Sequence, residues 1–380
     1  MTEDASYQAL YLHIPFCTSR CSYCDFETEA VAADDPVIDS YVEQLVQEIQ
    51  AAARADLLGR IKTIYVGGGT PSHMGARRLE PLIHELSYYI DMNEVVEFTV
   101  EANPDSVTAM LVHDLRAYGV NRFSLGVQSF QDDELITLGR IHTADKAHDA
   151  IKSALQQCHN VSIDLICGIP GQDLSSWHET LDAALEHDIT HISVYPLTIE
   201  DETPLARAIT SGRLQEADED LQAEMMLAAQ ERLAQAGFVR YEVASYARHN
   251  HCCHHNIAYW TGVPYLGLGK HAAGMRMNPL TGNRERLYGG TVSETLSPVH
   301  AALEDIMLGM RLAQGVSQTN LNACISKHPE LDVAIMKTFR ELVGLGLLEK
   351  TQTHYVPTTH GWLLGNELFS RIWAISSLDS

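Results

Sequence analysis

Positive charge is scarce in this chain: 26 Lys and Arg stand against 50 Asp and Glu, a formal net charge of −24. Phosphate-backbone binders and proteins held on anionic lipid need basic surface, so general nucleic-acid and membrane-surface roles are disfavoured. A local basic groove stays open. Long apolar runs are missing as well, and none approaches the ~18 residues of a transmembrane helix. The opening stretch, MTEDASYQALYLHIPFC, lacks the basic region and long apolar segment of a secretory signal. No internal repeat, linker or low-complexity tract stands out. These absences predict a cytoplasmic protein, whose 8 cysteines are reduced thiols or ligands rather than a disulfide framework.

What is present is an ordinary globular mix, with 45% hydrophobic residues over 380 positions. At ~100–200 residues per domain this gives two or three domains, or one large α/β domain with additions. Short β-branched runs recur at Leu10–Ile14, Thr63–Val66, Glu97–Glu101, Arg122–Val127, Val161–Cys167 and His191–Leu197. Amphipathic stretches separate them. The clearest follows Asp35-Pro36, an N-cap with Pro at N1, and carries Val37, Ile38, Tyr41, Val42, Leu45, Val46 and Ile49 at three- and four-residue spacing. Alternating strand and helix predicts parallel βαβ units, which fit a partial six-fold (β/α) barrel; a doubly wound sheet gives the same alternation.

Residues 199–220 are polar and are expected to leave the barrel. A long helix reads from Leu221 to Leu233 and stops at Gly237. After about residue 297 helices are followed by a hairpin in GLLEKTQTHYVPT and a last helix near His360–Ile375, a winged-helix-like pattern. The expected units are a barrel at 1–210, an extension at 211–297 and a C-terminal helical domain at 298–380, serving as a docking module or as a cap.

The strongest chemical signal is Cys17-x3-Cys21-x2-Cys24, directly after the first strand. Carboxyl ends of parallel barrel strands are where active sites sit. A structural zinc site wants four ligands, and no fourth Cys or His follows nearby. Three thiolates on an iron–sulfur cube leave one iron open to an exogenous ligand. Further strand ends carry Gly67-Gly68-Gly69-Thr70-Pro71, Glu101-Ala-Asn103-Pro104, Gly126-Val-Gln128-Ser-Phe130 and Leu138-Gly139-Arg140. Glycines let backbone approach a ligand, Gln offers a donor and an acceptor, and Arg pairs with carboxylates. Asp164 lies inside an apolar run, which is costly unless it is partnered.

This motif order resembles that of the radical S-adenosylmethionine family, and within it the oxygen-independent coproporphyrinogen III oxidases and their relatives, over roughly residues 7–275. The resemblance implies a [4Fe-4S] cluster on Cys17, Cys21 and Cys24. It implies S-adenosylmethionine contacts at Tyr11, Gly68, Gly69, Thr70, Glu101, Gln128, Arg140 and Asp164, the last three matching contacts to a second cofactor molecule. Tyr23 matches an aromatic contact beside the cluster. The oxidases continue with another Cys two residues after the third; here Phe26 stands there. That ending, and His255-Asn256-x-x-Tyr259-Trp260, is similar to the family's heme-chaperone branch. The similarity implies heme as a ligand, heme-acceptor proteins and an electron donor as partners, and argues against oxidase turnover while leaving enzymatic activity open. Imidazole and thiolate ligate heme iron, and Tyr and Trp offer flat faces to a porphyrin. His255 is the favoured ligand, with Cys253 and His251 as alternatives. The branch tends to continue with a G-x-G-x-G-A-H-like stretch, whereas this chain reads Gly267-Leu-Gly269-Lys270-His271, with the histidine displaced. The alternatives are the oxidase's own decarboxylation of porphyrinogen propionates and, against the acidic balance, a radical reaction on RNA.

Overall fold

The computed structural model describes residues 6–375. Six strands, β1 (Ala9–Ile14), β2 (Thr63–Gly68), β3 (Glu97–Ala102), β4 (Arg122–Gln128), β5 (Val161–Cys167) and β6 (His191–Pro196), each pair in parallel with the next. They match the six runs expected from sequence to within one or two residues. Their sequential order has no point where the winding reverses. A doubly wound sheet needs such a reversal, so the order selects a sheet that curls one way with its helices on one face.

The sheet continues at both ends. β7 (Val239–Arg240) and β8 (Ser245–Ala247) add antiparallel beyond β6; β9 (Tyr265–Leu268) adds parallel to β1. β10 (Ala273–Met277), β11 (Arg284–Tyr288) and β12 (Thr291–Leu296) follow as an antiparallel extension. The full order is β12-β11-β10-β9-β1-β2-β3-β4-β5-β6-β8-β7.

Alternation along the six strands divides their side chains. Leu10, Leu12, Ile64, Val66, Phe98, Val100, Phe123, Leu125, Ile163 and Val194 join the core under the helices. The helix Pro36–Arg54 starts where Asp35 accepts a hydrogen bond from Val37 N at 2.9 Å, and it buries Ile38, Tyr41, Leu45 and Ile49. Full burial of each such aliphatic side chain contributes about 1.5–3 kcal/mol. The opposite face carries Tyr11, His13, Tyr65, Glu97, Glu101, Arg122, Ser124, Asp164 and Ser193, a polar lumen.

Residues 199–220 are expected to leave the barrel, but the part around Leu205 packs back on it, while 211–220 are mostly exposed. That part forms a helix, Pro204–Thr210, whose Leu205 is buried among Leu138, Ile166, Ile169 and Leu197. Leu205 N donates to Ser22 O at 2.8 Å, so the segment lies on the cysteine loop. A few scattered apolar residues in a polar stretch are a weak sequence signal, yet Ile199, Leu205, Ile209 and Leu214 all pack on this cluster.

Beyond residue 297 a second core gathers Leu303, Ile306, Phe339, Leu342, Leu368 and Ile372. The chain there runs helix Pro298–Gly309, strand Val316–Ser317, helix Gln318–Lys327, helix Asp332–Gly344, and the antiparallel pair Leu348–Lys350 and His354–Pro357. The last helical stretch is broken in two, Thr359–Leu363 and Gly365–Trp373. No helix among the described residues is long and apolar enough to cross a membrane.

Candidate functional site

The cysteine loop leaves β1 and is fixed on both sides. Ser22 N donates to Leu138 O at 2.9 Å and Glu29 N to Pro15 O at 2.7 Å. Cys17, Cys21 and Cys24 are all half-buried. Burial pushes the Cys17 and Cys24 thiols up, and the neighbouring thiols push them further; the Thr70 hydroxyl opposes this at Cys17. A Cβ on Gly69 would stand 2.6 Å from Phe16 O and 3.0 Å from Cys17 Sγ, so only glycine lets β2 run this close to the loop. Among the described residues no three His, Cys, Asp or Glu side chains converge as a single ion requires.

Two of these sulfurs are tied to the strand ends by one hydrogen-bonded chain. Thr70 Oγ1 donates to Cys17 Sγ at 3.4 Å and accepts from Asn103 Nδ2 at 2.8 Å. Asn103 Oδ1 accepts from Arg140 Nη2 at 2.8 Å, and Arg140 Nη1 donates to Cys21 Sγ at 3.4 Å. Arg140 also donates to Gly126 O. Asn103 is absent from the contacts implied by resemblance, yet its amide, donor on one side and acceptor on the other, joins the two arms. Donors to ligating sulfur tune a cluster's potential.

Glu101 is the fixed carboxylate of the lumen. It accepts from Tyr65 OH at 2.7 Å and from Gly68 N at 3.0 Å. Burial raises its carboxyl from 4.5 to about 7, with Asp164 adding and Tyr65 opposing. Between those values the folded protein keeps a proton that the unfolded chain releases, so stability falls as pH rises through this window. Relative to the parent, Glu101→Gln is expected to gain roughly 2–3 kcal/mol at most between pH 4.5 and pH 7, and no more above it. Denaturation midpoints at pH 5 and pH 8 check this; a constant difference between the two proteins would refute it. Asp164 is also pushed up by burial, while Ser193 and Ser124 hold it down, the latter at 3.4 Å. Gln128 takes left-handed backbone, φ 68°, where the register of β4 against β5 shifts. Such conformations persist where surrounding structure over-determines them, often at ligand sites. Tyr23 packs against the Leu138–Leu205 cluster with Arg140 and Cys21 nearby.

A cavity of about 530 Å³ brings part of each candidate set together, without Gly69, Thr70, Gln128, Arg140, Asp164 or the three cysteines. Tyr11, Gly68 and Glu101 line it with His255, Asn256 and Tyr259, beside Tyr65, Tyr265, Tyr288 and His271. Phe26 lies on its rim and is 60% exposed. Its size is that of a small-molecule site. Trp260 is not part of it. Trp260 Nε1 donates to Glu242 at 3.1 Å, and its ring receives Arg311 at 5.0 Å, facing the C-terminal unit.

The helix His254–Trp260 closes the floor of the lumen. Glu97 receives Cys253 Sγ at 3.2 Å, His254 N at 2.8 Å and His255 N at 3.1 Å. A carboxylate at a helix start satisfies free N–H groups and meets the positive end of the helix dipole. His255 is buried with both ring nitrogens engaged, Nδ1 with Thr63 Oγ1 and Nε2 with Tyr259 OH, each at 2.9 Å. Its ring stacks on Tyr65 at 5.1 Å. To ligate iron it must first leave Tyr259. Cys253, one alternative ligand, is buried on Glu97 and does not line the cavity. Glu97 and Arg122 were missed as organising residues; the only sequence signal was their alternation with Phe98 and Phe123.

A family model described as the Radical SAM superfamily matches residues 11–184, and with the α/β sheet and cysteine loop it defines the class of protein. A curated protein from Synechocystis sp. named heme chaperone HemW is 35% identical over 329 residues, covering 82% of this chain and 80% of that protein. Its namesake from Bacillus subtilis is 30% identical over 375 residues, covering 95% and 98%. This chain belongs to the HemW family of the radical S-adenosylmethionine proteins. The solved structure of coproporphyrinogen III oxidase (HemN) from Escherichia coli superposes with a TM-score of 0.81, covering 99% of this chain and 91% of that one. At 20% identity this likeness is one of fold.

Proposed function

We propose that this protein binds heme in the aromatic cavity, carries a [4Fe-4S] cluster on Cys17, Cys21 and Cys24, binds S-adenosylmethionine at the adjoining strand ends, and hands heme to acceptor proteins. The observation that carries the reading is the shared cavity, in which Tyr11, Gly68 and Glu101 face His255, Asn256 and Tyr259. Flat aromatic walls suit a porphyrin. The names of the HemW relatives support heme handling by this chain.

The donor set fits the cluster: three thiols on one loop, two of them accepting hydrogen bonds from Thr70 and Arg140. When bound, the cluster supplies the electron that splits the sulfonium of S-adenosylmethionine. The chain's own part is to place and shield that cofactor. The Gly67–Gly69 backbone allows close approach, Glu101 offers a fixed acceptor, and Tyr11 walls the cavity. In this reading residues 1–210 form the cofactor-binding barrel, 211–297 its floor and extension, and 298–380 a docking unit for acceptors or the electron donor.

Adding the purified protein to heme is expected to shift the heme Soret band, and the loaded protein to pass heme to an apo-acceptor. Coproporphyrinogen is expected to remain unconverted under reducing conditions with S-adenosylmethionine. The oxidase alternative draws on the superposition with HemN. Turnover of coproporphyrinogen without any Soret shift would decide for it.

A further inference from the structure

We propose that His271 supplies the imidazole that ligates heme iron in the cavity, an inference that rests on the heme reading above. Iron takes imidazole through a ring nitrogen that is neutral, uncommitted and reachable. Three histidines line the cavity: His13, His255 and His271. His255 spends both nitrogens on Thr63 and Tyr259. His13 spends Nδ1 on Tyr11 OH at 3.0 Å, and its Nε2, though without a hydrogen-bond partner, is sealed from solvent and so out of reach. His271 is half-exposed, and neither of its ring nitrogens has a hydrogen-bond partner among the described residues. Elimination leaves one imidazole in the cavity that is ready to bind.

The backbone presents this residue deliberately. His271 has φ +64°, a left-handed conformation that residues other than glycine adopt rarely. The turn before it is pinned from three sides. Gly269 N donates to Glu48 at 2.8 Å, Lys270 N to Tyr41 OH at 3.1 Å, and Lys270 Nζ pairs with Glu29 at 2.8 Å. These contacts fix the chain on both faces while the ring stays free, 5.6 Å from the Tyr288 ring. Tyr288 and Phe26 offer flat faces beside it. Asp25 and Glu27 on the same wall repel propionates, so the propionate edge of a bound heme points to solvent. The displaced histidine noted in the sequence thus enters the same cavity as Ala273, two residues later in the chain.

The test is a ferric-heme titration of the full-length protein, read by absorbance. His271→Gly is the informative variant, because glycine suits φ +64° and the substitution removes the ring without straining the turn. We expect the wild type to give an imidazole-ligated Soret band. His271→Gly should shift that band and bind heme about tenfold more weakly, with the band restored by added imidazole. His113→Ala, an exposed histidine that does not line the cavity, should keep the wild-type band. A wild-type band and affinity in His271→Gly would overturn the assignment, as would loss of the band in His255→Ala that imidazole restores. A wild type that gives no Soret shift at all would remove the heme reading itself, a result distinct from failure of the ligand.

Discussion

Single replacement of Cys17, Cys21 or Cys24 by Ala is expected to leave anaerobically reconstituted protein with most of its iron and sulfide gone. Three thiolates are all that the loop supplies, and a cube held at two corners exchanges its irons readily. The loss should be local. The loop is pinned by Ser22 N on Leu138 O, Glu29 N on Pro15 O and Leu205 N on Ser22 O, none of which uses a thiol. Thermal midpoints of the three apo-variants should therefore stay near that of the apo-parent, while iron and acid-labile sulfide fall together. Cys252, Cys253, Cys158, Cys167 and Cys324 serve as controls, being remote from the loop in sequence and excluded from its hydrogen bonds. Full iron content in all three loop variants would show that the cluster is bound elsewhere.

Glu97→Ala should be the most destabilising single change in the lumen, by about 3–5 kcal/mol, although Glu97 does not line the cavity. Its carboxylate is 2% exposed and holds the start of the floor helix through three donors. Arg122 is equally buried, and its Nε has no hydrogen-bond partner among the described residues. Burial alone lowers the Arg122 guanidinium, but the acidic groups around it, Cys253 and Glu97 foremost, more than offset this and raise it. Removing Glu97 takes a nearby negative charge from that cation and leaves the helix start without its acceptor. Glu97→Gln keeps an acceptor oxygen and should lose less. Urea midpoints of the two variants and the parent measure the effect. Equal midpoints in Glu97→Ala and the parent would mean that the floor is held by packing alone.

The six parallel strands and the helix after Asp35 were legible because β-branched runs, an N-cap with Pro36 and helical apolar spacing all point the same way. Strand order settled what periodicity left open, since a doubly wound sheet and a curled one share the same alternation. The helix Gln318–Lys327 escaped because it buries Leu321 and little else. The antiparallel extension escaped because β12 is exposed at five of its six positions and so shows no buried face. In the site, the cysteine spacing and GGGTP could be read directly, being short and contiguous. Asn103 and Glu97 could not, since their partners lie 31 to 158 positions away in the chain and only folding brings them together. Trp260 was assigned to a porphyrin from its neighbours in sequence. One helical turn faces two directions, and its ring points away from Tyr259's cavity.

Arg311 lies between the Trp260 ring at 5.0 Å and the Phe369 ring at 4.5 Å. A seven-residue helix is therefore bolted to the barrel at Glu97 and to the terminal unit at Arg311, with Tyr259 between the two fastenings. One short helix is thus shared between the wall of the cavity and the seam with the terminal unit.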